Sequence, residues 1–251
     1  AREALEARKA RQEARKTTQA KQRFTEDILQ KIRRNLGKKG FCLVGFAGDE
    51  ERKLVEVARN EAVTLLKDPA AYFKPPPTML AEGLLGEEGS AEIFESESLE
   101  LQDKPALASV DAILTELSNT CLAAPALQLR RSHGILHNAG LPLDSNVPEM
   151  TEACCHKWIS IFGQRTLMLV MFLGSGFGRL ELQPFDDEIE PIEVDVGPAT
   201  LAVIRADCLH HRFYATSRSL ALSCFLLKDA HATWRRRFGI PSVMTPVCRD
   251  L

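Results

Sequence analysis

Cys154, Cys155 and His156 form the densest group of chemically capable residues in the chain. A thiol beside an imidazole can act as a nucleophile, but sequence neighbours rarely reach the needed geometry, and no third, orienting group is visible. Two thiols and a histidine can also hold a soft metal, although no second cluster completes a site. Seven cysteines, at 42, 121, 154, 155, 208, 224 and 248, make an odd count with no C-x-x-C. That pattern fits neither structural zinc nor a disulfide framework. Reduced thiols in an intracellular, reducing compartment (cytoplasm or organelle) fit it better. Gly174-Ser175-Gly176-Phe177-Gly178 reads as a turn between strands and not as a strand-to-helix phosphate loop. His210-His211 sits at a strand end, where alternation points one ring inward and the other out.

Such residues must be positioned by regular elements. Residues 1–36 are rich in Ala, Glu, Lys, Arg and Gln and read as one long charged helix, with Gly37 as its stop. Only Phe24, Ile28, Leu29, Ile32 and Leu36 recur at helical spacing, so its last three turns should pack on the body. Residues 1–40 hold thirteen Lys/Arg against five Asp/Glu, although the whole chain carries −2. The solvated first turns read foremost as a linker helix; where the local excess has a partner, residues 1–40 are the expected contact for a protein or larger assembly, with nucleic acid the lesser alternative. Gly40 to Phe46 is strand-like. Asp49 caps a helix from Glu50 to Lys67, whose buried face is Leu54, Val55, Val57, Ala58, Ala62, Leu65 and Leu66. Residues 68–103, with Pro75-Pro76-Pro77 and many acids, read as loop. Pro105 starts a helix to Leu122 on Leu107, Val110, Ile113, Leu114 and Leu117.

From Leu127 the period changes to two. Strands are expected at 127–131, 166–173, 179–183, 189–196, 199–206 and 219–227, separated by turns. Helices ahead of such a run define an α+β fold ending in an antiparallel barrel between Leu127 and Lys228. Residues 229–251 read as a short basic helix and an extended tail. The longest apolar run, 167–174, is too short to span a bilayer. The chain starts at Ala1 without Met, as expected for one domain of a longer polypeptide.

Four segments give residues 38–228 a resemblance to the Fe(II)/2-oxoglutarate oxygenases, in particular their prolyl-hydroxylase-like branch. Gly40–Phe46 resembles the family's opening strand. Arg165-Thr-Leu-Met-Leu-Val-Met-Phe-Leu173 resembles "R.lT.l.YLn". Gly176–Leu182 resembles the following "GG.L.l". Pro191–Leu227 resembles the closing block, with Gly197, Val203–Asp207, His210/His211 and Arg218-Ser-Leu-Ala-Leu. The resemblance implies a double-stranded β-helix (jelly roll) with Fe(II) and 2-oxoglutarate as cofactors. In that family two histidines and one carboxylate hold the metal on one face and leave positions open. A deeper basic residue takes the distal carboxylate of 2-oxoglutarate, a task suited to a planar guanidinium.

Carried onto this chain, the resemblance makes His210 or His211 the second histidine ligand and Arg218 the 2-oxoglutarate residue. The first ligand is His137, with His156 as the alternative. Neither has the acid that the family places two residues on: Ala139 and Trp158 stand there. Asp144, Glu149, Glu152 and Asp207 are the other candidate carboxylates, but none stands at the family's spacing. Halogenases of the superfamily carry a small residue at the acid's position, as Ala139 is here. The leading expectation is a non-catalytic, oxygenase-like domain for scaffolding or recognition. The second is an active hydroxylase or halogenase with an atypical site.

Overall fold

The computed structural model describes residues 24–65, 91–95, 103–121, 129–139, 151–174, 176–186, 188–215 and 217–228. Residues 1–23 of the helix expected over 1–36, most of the 68–103 loop, the 229–251 tail, Asp144 and Glu149 lie outside them.

Helix α1 (Glu26–Lys39) starts at Thr25, whose hydroxyl accepts from Ile28 N at 3.4 Å. Glu26 and Asp27 in its first turn and Lys38 and Lys39 in its last complement the helix dipole. Phe24, Leu29, Ile32 and Leu36 are buried, as the spacing required. The stop is not Gly37, which lies inside the helix. Gly40 takes the left-handed cap at φ 75°, and glycine also suits the site because a Cβ there would meet Leu209 Cδ1 at 2.8 Å. Strand β1 (Phe41–Gly45) follows, then α2 (Asp49–Leu65), β2 (Ala91–Glu95) and α3 (Pro105–Cys121). In α2, Val55, Ala58 and Ala62 are buried, whereas Val57 is 50% exposed. Val57 lies around the helix from these three, so the apolar face is narrower than expected. The Glu61 carboxylate of α2 accepts from Ala106 N (3.2 Å) and Leu107 N (2.8 Å) at the start of α3. It thereby satisfies donors that a helix start leaves open. All five expected core residues of α3 are buried. β2 is a strand within the segment expected to be loop.

The rest of the described chain comprises β3 (Arg130–Arg131), β4 (Ile135–Ala139), α4 (Glu152–Gln164), β5 (Arg165–Phe172), β6 (Gly178–Pro184), β7 (Ile192–Val196), β8 (Thr200–Ile204), β9 (Leu209–Ala215) and β10 (Ser219–Leu227). A seven-stranded sheet runs β1-β8-β5-β10-β4-β2, with β3 also on β10; a three-stranded sheet runs β7-β6-β9. Every pairing is antiparallel.

Two apolar layers sandwich the large sheet. Leu167, Leu169 and Met171 of β5, with Leu220, Leu222 and Cys224 of β10, face α1, α2 and α3. Met168, Val170, Phe172, Ala221 and Phe225 face the small sheet, where Leu180, Leu182, Leu209 and Phe213 meet them. Burial on both faces explains why β5 and β10 are continuous apolar runs, whereas β6 and β9 alternate.

Candidate functional site

Alternation decides what each strand sends into the layer between the sheets. On β4, Ile135 and Ala139 belong to that inner layer, so His137 shares their face. His137 pairs in register with Ala221 of β10, is 1% exposed, and has its Nε2 2.6 Å from Ser223 Oγ. On β9, Leu209 and Phe213 belong to the same layer, and His211, 2% exposed, lies between them. The two histidines therefore enter one apolar layer from opposite sheets. Burial pushes the His137 imidazole down to about 3, and a positive charge on His211 acts in the same direction. His137 is consequently neutral at physiological pH.

The other candidates go elsewhere. His210 faces outward and is exposed, its ring 4.4 Å from that of Phe185. His156 lies on α4 with its side chain 75% exposed, 3.8 Å from Glu152 Oε1. On a strand, residues 156 and 158 would share a face; on a helix they stand about 200° apart. Trp158 accordingly turns inward while His156 turns out. Trp158 is fully buried in the inner layer, its ring 5.6 Å from that of Phe162, which meets Phe225. The indole Nε1 of Trp158 and Oγ1 of Thr166 are buried with no hydrogen-bond partner among the described residues.

Arg218 departs from the expectation that it faces the barrel. It immediately precedes β10, whose even-numbered residues face the helices, and its Nε donates to Asn138 Oδ1 at 3.2 Å. Asn138 alternates with His137, so this contact lies on the opposite face of the sheet. Of the four other candidate carboxylates, the two among the described residues are turned elsewhere. Glu152 is exposed beside His156, and Asp207 takes Arg205 at 3.0 and 3.1 Å and Lys228 at 3.7 Å. Among the described residues no group of three or more His, Cys, Asp or Glu is placed to hold a metal. Among the described residues, His137, His211 and the methyl group of Ala139 do not make a two-histidine, one-carboxylate set, so these residues do not fit the iron centre that the resemblance implied.

Among the described residues, Cys42 and Cys224 are buried free thiols. Burial pushes Cys224 up to about 11, against the opposing pull of Arg131, so it is no nucleophile at neutral pH. The side chains of Cys154 and Cys155 lie outside the described residues. Sequence reading missed Ser223 as the partner of His137; a hydroxyl in the middle of a mostly apolar strand was the available signal.

No protein-family model and no curated protein matches the sequence. Solved structures do. A prolyl hydroxylase from Trichoplax adhaerens, in complex with a hypoxia inducible factor oxygen degradation domain peptide, matches at TM-score 0.54 and 14% identity, over 86% of this chain and 94% of its own. A prolyl 4-hydroxylase from Phytophthora capsici matches at 0.53 and 16%, over 90% of this chain and 74% of that one. SnoN, a non-heme alpha ketoglutarate dependent epimerase from nogalamycin biosynthesis, matches at 0.53 and 12%, over 87% and 92%. The chain thus has the fold of the Fe(II)/2-oxoglutarate oxygenases, prolyl hydroxylases among them. At these identities the likeness is one of fold, and function must be argued from the site. No helix among the described residues is long and apolar enough to cross a membrane.

Proposed function

We propose that this chain is a double-stranded β-helix domain of oxygenase type that does not turn over 2-oxoglutarate and serves scaffolding or recognition within a larger protein or complex. One observation carries the reading. The two inward histidines share their layer with Ala139 and apolar side chains, while Arg218 is engaged with Asn138 on the other face. A metal held by two neutral imidazoles alone keeps its full charge in an apolar layer, which is costly. Residues 1–40 are the proposed contact for the partner protein, by virtue of their basic excess. The free thiols are in keeping with a reducing compartment inside the cell.

A second reading, an active Fe(II)/2-oxoglutarate hydroxylase or halogenase, is favoured by one observation: His137 and His211 enter the same layer from opposite sheets, with the small Ala139 beside them. Anaerobic addition of Fe(II) and 2-oxoglutarate separates the two. The first reading expects no visible metal-to-ligand band and no retained iron. A band that disappears in both His137→Ala and His211→Ala would establish the second and overturn the first.

A further inference from the structure

A cleft of about 580 Å³ opens where β5 ends and β8 begins. α4 lies at the other end of β5, which it enters directly, and Lys228 N donates to Gln164 O there at 2.8 Å. The cleft is therefore remote from the Trp158 end of the inner layer. Its volume is in the range that holds small organic ligands.

One wall is a single face of α2, where Arg52, Glu56 and Arg59 recur at helical spacing. Arg59 is 3.8 Å from Glu56, whereas the exposed Arg52 side chain has no ion pair or hydrogen bond among the described residues. Phe46 and Leu173 supply apolar lining. The far wall is built with unusual care. Phe177 is 71% exposed, and a Cβ on Gly197 would stand 2.6 Å from its ring. Glycine at 197 is what lets that large aromatic lie across the turn. Ala199 takes φ 58°, a left-handed conformation that is disfavoured for a residue with a Cβ. It is held there by Ala199 N donating to Phe172 O and Phe46 N donating to Ala199 O, both at 2.9 Å. Strain kept in place by its surroundings concentrates at binding sites. The formal charges of the lining cancel, with Asp195 and Glu56 against the two arginines, so a polyanion gains little here.

We propose that this cleft binds an organic monocarboxylate with an aromatic or apolar body. The carboxylate pairs with the Arg52 guanidinium, and the body lies between Phe177 and the Phe46–Leu173 lining. This site is independent of the histidine pair, and the iron experiment above does not bear on it.

Ligand-observed NMR titration of the full chain tests it, with 3-phenylpropionate as probe and 3-phenylpropan-1-ol and inorganic phosphate as comparators. Saturable binding of the carboxylate is expected, with the alcohol and phosphate at least about tenfold weaker. Arg52→Gln and Phe177→Ala, both exposed, should each weaken the carboxylate by a similar factor. Arg34→Gln, on the exposed face of α1, should leave it unchanged. Absence of saturable binding overturns the proposal, as does an alcohol or phosphate that binds equally well, or an Arg52→Gln variant that binds as wild type.

Discussion

Gly37 lies within α1, and no atom stands within 4 Å of where its Cβ would be. Gly40, three residues on, is in the left-handed region, with Leu209 where its Cβ would go. Alanine at the two positions should therefore act in opposite directions. Gly37→Ala removes backbone freedom from the unfolded chain and suits a helix, so it should stabilise by about 0.5–1 kcal/mol. Gly40→Ala must hold a Cβ at positive φ and push back the end of the Leu209 side chain, so it should cost about 1–2 kcal/mol. Urea denaturation of both variants checks the signs. The sequence reading placed the stop at Gly37 and made Gly40 the first residue of a strand. Choosing between them needed the contact with Leu209, about 170 residues away in sequence. The same limit governed the histidines. Alternation showed that one of His210 and His211 points inward, but only the placement of Leu209 and Phe213 in the inner layer selects His211. For Arg218, the sequence offers no strand neighbour on its N-terminal side from which to count, and its face emerged only with Asn138.

At the scale of elements, α3 and the doubly buried β5 and β10 were legible because burial imposes a period or an unbroken apolar run. α4 was not. Its apolar face is short and leads into β5 without a Pro, so no change of period announces it. That helix also separates His156 from Trp158, which a strand would have placed together. β2 escaped notice because it is an edge strand whose register depends on β4. The junction of α2 and α3 carries its own prediction. Glu61 accepts two backbone N–H donors at the start of α3, and its carboxylate is also favourably placed at the positive end of that helix dipole. Glu61→Ala should cost about 1–2 kcal/mol, and Glu61→Gln, which keeps one acceptor, should cost less. Hydrogen exchange should show the loss first at the amides of Ala106 and Leu107.

At the scale of the whole molecule, the two sheets are held by one apolar layer into which His137 and His211 both point, and burial there disfavours the charged form of His137. Its folded value of about 3 lies below the unfolded value of 6.5. Between those values the unfolded chain binds one more proton than the folded protein, so stability falls as pH is lowered. This contribution is fully present above about pH 6.5 and is lost progressively from there toward pH 3. The slope is at most about 1.4 kcal/mol per pH unit for a single proton. Carboxylates add their own acid sensitivity, so the informative quantity is the difference between wild type and a variant with no titratable ring at this position. His137→Asn removes the ring and is expected to lower stability near pH 7.5, because it leaves Ser223 Oγ without its 2.6 Å partner and opens space in the layer. Between pH 6 and pH 4.5, however, the variant should lose stability less steeply, by close to one proton. Parallel slopes for the two proteins in urea unfolding over that interval would show that His137 charges freely in the folded state, and would remove the argument that the inner layer excludes charge.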